Sequence, residues 1–315
     1  MRHPKHEQQP PVRRSVPVAL MAAMRPKQWT KNLILFAGLL FTLDIPHTRA
    51  QVELVLGGFL IFCLLSSVVY LINDVADRDS DKLHPKKRFR PIASGELSVG
   101  TAIGAAIVIG IASLIAAFRA SPLFGVTALI YFVLTIAYSF RLKHVVILDV
   151  LVLAAGFVLR AIAGVVLIHA AISQWLILCT LMLALFLGLS KRRAELLATQ
   201  QAGVAGTRRI LGEYSAAMLD QMIVIVTSAC LMSYCLYTVQ SDAAKSHHLL
   251  MLTIPSVLYG IFRYLYLMHR HMLGESPDAV LLEDRPTLIN VALWGITTAL
   301  IVTHQAERLL LFLTH

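Results

Sequence analysis

The sequence predicts an all-α, polytopic membrane protein with nine transmembrane helices, and three observations carry that prediction. Of 315 residues, 57% are hydrophobic and 15% charged, with a mean hydropathy of +0.71, too little polar surface to clothe a soluble body of this length. The apolar residues fall in blocks of about twenty, enough for a helix to cross roughly 30 Å of hydrocarbon, and they do not alternate as barrel strands would. The basic residues divide unevenly between the two sides of the bilayer that those blocks define.

Residues 1–16, rich in Pro, Gln, His and Arg, are expected to form a disordered cytoplasmic tail, leaving 17–315 as one transmembrane domain. Val16 to Met24 has the apolar character of a short signal peptide, but Arg25, Lys27 and Lys31 follow at once and mark the inner edge of a first span. The nine spans read as Asn32 to Leu43 with its preceding amphipathic turns, then 52–72, 99–118, 122–138, 146–168, 173–190, 214–239, 248–269 and 287–303. Nine spans put the termini on opposite sides. One side then carries 23 of the 28 Lys and Arg, the other Arg49, Arg119, Lys245 and Arg308, and Arg160 lies within a span. The positive-inside rule makes the N-terminus and the four long loops cytoplasmic in a cell (inner) membrane. The net charge of +10 therefore follows the bilayer, and no nucleic-acid partner is expected. Cys63, Cys179, Cys230 and Cys235 all lie in apolar runs without metal-ligand spacing, which suits small core residues. The Gly100-x-x-x-Gly104 spacing is read as close helix packing.

After the second span comes Asn73-Asp74-Val75-Ala76-Asp77-Arg78-Asp79-Ser80-Asp81. If that helix continues, Asn73, Asp77 and Asp81 follow one another at i+4 steps with Asp74 on the same face, while Asp79 turns to about 240° and falls outside the set. Clustered carboxylates are costly unless a cation neutralises them, and hard oxygen ligands suit Mg2+ shared with substrate phosphates. A solvated helix end is the plain alternative, but four acids among these few residues, in a chain with 18 in all, favour a metal-diphosphate site. An EF-hand reading of the Asp77-x-Asp79-x-Asp81 run fails, because Lys82 stands where Gly is needed and Arg88 where Glu is needed. The loop that follows, from Lys82 to Pro91, is cationic and stiffened by two prolines. Its Lys86 and Arg88 can clamp phosphate oxygens or anchor the loop to anionic lipid. Lys27 and Lys31, four apart, are assigned to phosphate binding against an alternative of interfacial snorkelling. Asp149 and Arg160 lie in the fifth span, where ionisable groups usually face an interior cavity or another helix.

At its acidic segment the chain resembles the UbiA superfamily of membrane prenyltransferases, whose Asn-x-x-x-Asp-x-x-x-Asp motif is matched by Asn73, Asp77 and Asp81. The resemblance implies a nine-helix bundle around a cavity open to the cytoplasm, with two acidic motifs holding Mg2+ and a diphosphate. The second motif departs from that pattern: after the sixth span the chain reads Ser190-Lys191-Arg192-Arg193-Ala194-Glu195, basic with one acid. That departure, with Arg25 to Asn32, the run ending at Gly95, Tyr138 to Lys143 and Glu283 to Pro286, is similar to the polyprenyl-phosphate (decaprenyl-phosphate) phosphoribosyltransferase branch.

The resemblance implies transfer of 5-phosphoribose from phosphoribosyl pyrophosphate to a polyprenyl phosphate, releasing pyrophosphate and supplying a cell-wall arabinan precursor. It implies Mg2+ held by Asn73, Asp74, Asp77 and Asp81, with Asp74, Asp77 and Asp81 catalytic. Substrate contacts are expected from Asn73, Lys27, Lys31, Lys86, Arg88, Tyr138, Ser139, Arg141, Lys143, Arg160, Lys191 and Arg192. Arg263, Glu283 and Asp284 are further candidates. The expected partners are the two substrates and the lipid bilayer, and a homo-oligomer is compatible with them. An attacking phosphate already carries its charge and needs no strong general base, in keeping with the absence of a His or Cys dyad among the motifs. The rival readings are a conventional UbiA-type prenyltransferase acting on an aromatic acceptor, against which the basic second motif argues, and a lipid or solute transporter, against which the uninterrupted spans argue.

Overall fold

The computed structural model describes residues 14–40, 47–84, 87–202, 209–270 and 283–303. Every regular element among the described residues is a helix, and eight helices or helical runs are long and apolar enough to cross a membrane. They are α3 (Arg49–Ala76), α5 (Val99–Ala120), α6 (Pro122–Phe140), α7 (Leu148–Leu167), α8 (Gln174–Ala202), α9 (Ala216–Gln240), α11 (Ile254–Arg270) extended by the 3-10 turn His248–Thr253, and α12 (Arg285–Val302). Shorter helices are α1 (Val16–Ala23), α2 (Ala37–Leu40), α4 (Arg78–Leu83) and α10 (Asp242–Ser246).

The stretch expected to form the first span is built differently. It runs as α1, a 3-10 helix Pro26–Phe36 and α2, and residues 41–46 lie outside the described residues. The corner precedes Pro26, which disfavours the α conformation at Arg25, and Arg25 adopts φ 55. A 3-10 helix repeats every three residues, so Lys27 and Lys31 do not stack as they would on an α-helix. The sixth span also differs. With no Gly or Pro between Gly188 and Ala202 to stop it, α8 continues to Ala202, so Lys191 to Glu195 stand on a helix. Of the expected tail, 1–13 lies outside the described residues, and helix begins at Val16.

Two compact units can be distinguished: the described part of 1–30 with Cys63–Ser113, and Lys31–Phe62 with the described part of 114–315. In the first, Leu65, Val68, Leu71, Ile92 and Leu97 are buried. Ser67 on α3 pins the α1 corner by donating to the Met24 carbonyl at 2.9 Å and accepting from Trp29 Nε1 at 3.0 Å. In the second, α8 packs against α7 and α9, with Phe186 edge-on to Tyr264 at 5.1 Å between centroids. Gly164 lets α7 approach the Pro26–Phe36 helix, because a Cβ there would overlap the Leu35 carbonyl. The outward residues of α5, including Ile107, Val108, Ile111 and Ile115, are exposed, as suits a helix facing lipid.

Candidate functional site

The acidic segment stands where α3 ends. Asp77 occupies the turn between α3 and α4 at φ −91, ψ 6, and its carboxylate makes no capping bond to α4. Backbone bonds Asp77 N to Asn73 O and Asp81 N to Asp77 O, each 2.8 Å, carry the helical register across the turn. The i+4 spacing of Asn73, Asp77 and Asp81 is thereby kept on the backbone. Asp74 and Asp81 are each only 2% exposed, Asn73 and Asp77 are half-buried, and Asp79 is exposed. Asp79 pairs with Lys82 at 2.9 Å, whose hydrogen bond holds its carboxyl below the usual range.

Two arginines close on the buried pair. Arg25 Nη2 donates to Asp74 Oδ1, and its guanidinium lies 4.8 Å over the Tyr70 ring. Arg90 Nη1 donates to Asp81 Oδ2 at 2.6 Å and to Asp74 Oδ1 at 3.1 Å. Arg90 opens a turn anchored by buried Ile92 and Leu97, bonded from Leu97 N to Pro91 O at 2.9 Å and closed by Gly95 at φ 82, a left-handed conformation natural to glycine. Neither arginine was singled out as a substrate-binding residue in the sequence. Both immediately precede a proline, and that shared stiffening of the backbone is the signal that could have marked them.

Among the described residues no three His, Cys, Asp or Glu side chains are grouped to hold an ion unaided. Two buried carboxylates beside a half-buried Asp77 and Asn73 nevertheless fit Mg2+, which is usually held by one or two carboxylates together with substrate phosphates. The Nε of Arg78 is buried and without a hydrogen-bond acceptor among the described residues, a donor suited to an anionic oxygen. Lys27 and Arg88 are exposed, Arg88 lying over Phe89 at 4.8 Å. Lys86 lies outside the described residues.

In the second unit Asp149, fully buried, accepts from Arg192 Nε at 2.6 Å and from the Tyr214 hydroxyl at 2.8 Å. Arg192 also donates to Glu195 at 2.6 Å and to the Tyr138 hydroxyl at 3.3 Å. Expected at a phosphate, this guanidinium is engaged by protein groups on three sides. Tyr214 also accepts from Ile147 N at 2.7 Å, and Ile147 has φ 70, a strained conformation for a β-branched residue. The network thus fixes the end of the 141–147 turn that carries exposed Arg141 and half-buried Lys143. Burial pushes the Tyr214 phenol up to about 12, so it stays a neutral donor at any working pH. Ser139 is turned back to the Thr135 carbonyl at 2.8 Å, and Lys191 is half-buried.

Arg160, 8% exposed, donates to Asn32 Oδ1 at 2.6 Å, the Gly156 carbonyl at 3.0 Å and the Tyr131 hydroxyl at 2.7 Å. It stacks over Tyr131 and Phe157, so aromatic faces and neutral acceptors carry this buried cation.

Asp284 caps α12 by accepting from Thr287 N at 3.0 Å and pairs with Arg263 at 2.8 Å. The Arg263 hydrogen bond holds the Asp284 carboxyl well below the usual carboxylate range. With the folded value depressed, the stability from this cap is complete above the unfolded value of about 3.9 and is lost as pH falls through the folded value. Melting temperature followed from pH 6 downward should fall more steeply in wild type than in Asp284→Asn, and parallel curves would contradict this.

Among the described residues, eight helices long and apolar enough to cross a membrane and a buried carboxylate pair gripped by arginines at a helix end define a multi-pass, all-α membrane protein with an arginine-paired acidic site. A model of the UbiA prenyltransferase family matches residues 16–282, and the chain belongs to that family. It is 32% identical over 292 residues to a decaprenyl-phosphate phosphoribosyltransferase of Mycobacterium tuberculosis, covering 91% of this chain and 94% of that one. It is 33% identical over 296 residues to a protein of the same name from Corynebacterium glutamicum, covering 91% and 87%. A UbiA homolog from Archaeoglobus fulgidus, solved bound to GPP and Mg2+, shares the fold with a TM-score of 0.69 at 19% identity, covering 91% of this chain and 99% of that one.

Proposed function

We propose that the chain transfers 5-phosphoribose from phosphoribosyl pyrophosphate to a polyprenyl phosphate, releasing pyrophosphate. The observation that carries this reading is the near full-length similarity to phosphoribosyltransferases of polyprenyl phosphate, matched by a second motif that is basic where the family is usually acidic.

In the reaction the ribose C1–O bond to pyrophosphate breaks while an oxygen of the lipid phosphate forms a new bond to C1. Asp74, Asp77, Asp81 and Asn73 are the groups that would hold Mg2+, which when bound neutralises charge on the departing pyrophosphate. Arg25, Arg78 and Arg90 supply the remaining positive charge to the diphosphate oxygens. Lys27, Lys31, Lys86, Arg88, Arg141, Lys143 and Lys191 bind the lipid phosphate and the 5-phosphate, assisted by Tyr138, Ser139 and Arg160. Arg192 contributes by holding the 141–147 turn through Asp149 and Tyr214. The attacking oxygen is already anionic, so positioning and charge stabilisation do most of the work.

Within this proposal the bundle has nine spans around a cavity open to the cytoplasm in the cell (inner) membrane. Residues 17–315 form one catalytic domain, and 1–16 form a cytoplasmic tail. Purified protein given phosphoribosyl pyrophosphate and polyprenyl phosphate should release one pyrophosphate per lipid-linked ribose, and EDTA should abolish both products. Turnover undiminished by EDTA would overturn the role of the metal.

A further inference from the structure

We propose that Arg90 is the resident counter-ion of the acidic site and competes with the divalent cation for the same carboxylate oxygens, so that metal binds tightly only with the phosphate groups that draw Arg90 away. This rests on the reading of the acidic segment as the metal-diphosphate site. Asp74 and Asp81 are each 2% exposed, so water cannot neutralise them, and buried carboxylates persist as anions only beside a cation. A single nitrogen, Arg90 Nη1, serves both acids. An ion held by these two oxygens would take over the contacts that Arg90 makes and would repel the guanidinium.

Arg25 and Arg90 are not equivalent. Arg25 bonds only to Asp74 of the pair, lies over Tyr70 and sits in a constrained corner. Exposure does not separate them, at 29% for the Arg25 side chain and 27% for that of Arg90; of the two, only Arg25 is held over an aromatic ring among the described residues, which leaves Arg90 the one to swing away. Once displaced, its planar fork suits phosphate oxygens as well as it suited carboxylates. Metal and diphosphate then bind with positive coupling, and such coupling is reciprocal. Arg90 thus acts as a binding selector: the metal alone must evict it, whereas metal arriving with diphosphate gives it a new partner.

The test uses the full chain in nanodiscs of zwitterionic lipid, with Mn2+ as the probe and no phosphate compound in solution. Free Mn2+ is read by electron paramagnetic resonance for wild type, Arg90→Ala and Arg90→Lys, each checked for folding by thermal unfolding. Arg90→Ala should bind Mn2+ about tenfold more tightly than wild type, within the usual range of coupling between sites. Arg90→Lys, which keeps the charge but not the fork, should fall between them and serves if the alanine variant does not fold. Both variants should retain less labelled pyrophosphate at saturating Mg2+. Mn2+ binding no tighter than wild type in every folded variant would overturn the proposal. Tighter Mn2+ binding in the variants, together with no phosphoribosyl transfer by wild type, would sustain the counter-ion role and overturn the assigned reaction instead.

Discussion

Asp74→Asn and Asp81→Asn should each lower turnover by about 10²–10³-fold at saturating phosphoribosyl pyrophosphate and Mg2+, the usual cost of removing a group that stabilises charge in the transition state. Both acids are buried and both are engaged by Arg90, so an amide in either place removes a negative charge without changing the shape of the site. Asp79→Asn is the internal control. Asp79 is exposed and pairs only with Lys82 among the described residues, a surface contact of little energetic weight, and its replacement should leave turnover near wild type. Lipid-linked label per minute, measured on proteins that melt together, checks all three. Equal losses in all three variants would show that general acidity of the loop, and not the buried pair, supports the reaction.

Arg192→Met should destabilise the protein by about 3–5 kcal/mol, the usual cost of leaving one member of a buried ion pair uncompensated. The partner left behind is Asp149, fully buried and retaining only the Tyr214 hydroxyl of its two side-chain donors. Adding Asp149→Leu to Arg192→Met should recover much of that loss, because the stranded charge is then gone. Unfolding in detergent by chemical denaturant gives both numbers. A single variant as stable as wild type would mean that the Asp149–Arg192 pair does not hold α7 to α8. The same pair positions the 141–147 turn, so Arg192→Lys, which cannot grip Asp149 and Glu195 together, should raise KM for the lipid phosphate more than it lowers kcat.

The spans were legible because twenty consecutive apolar residues leave a chain few alternatives to a membrane helix. Their ends were less so. Hydropathy reports where hydrocarbon stops, whereas a helix stops where its backbone is broken, and Lys191 to Ala202 offers no break. The Pro26–Phe36 stretch departs from the α-helical span expected of it for another reason: its shape depends on a proline corner and on close approach to Gly164, far away in sequence.

At the site, the acids announced themselves by spacing alone. The arginines that grip them did not, because Arg25 and Arg90 stand in cationic runs whose members look alike until a turn aims one of them inward. Arg192 shows the converse. Its place in a basic motif suggested a phosphate ligand, but the partner that occupies it, Asp149, lies 43 positions away and is brought to it only by helix packing.

The most direct test supplies two donors side by side to the purified protein in lipid: ribose-labelled phosphoribosyl pyrophosphate with polyprenyl phosphate, and labelled isoprenoid diphosphate with an aromatic acceptor. The account predicts Mg2+-dependent label in the lipid fraction from the ribose donor, lost in Asp81→Asn, and no coupled aromatic product. Aromatic prenylation without lipid-linked ribose would contradict it.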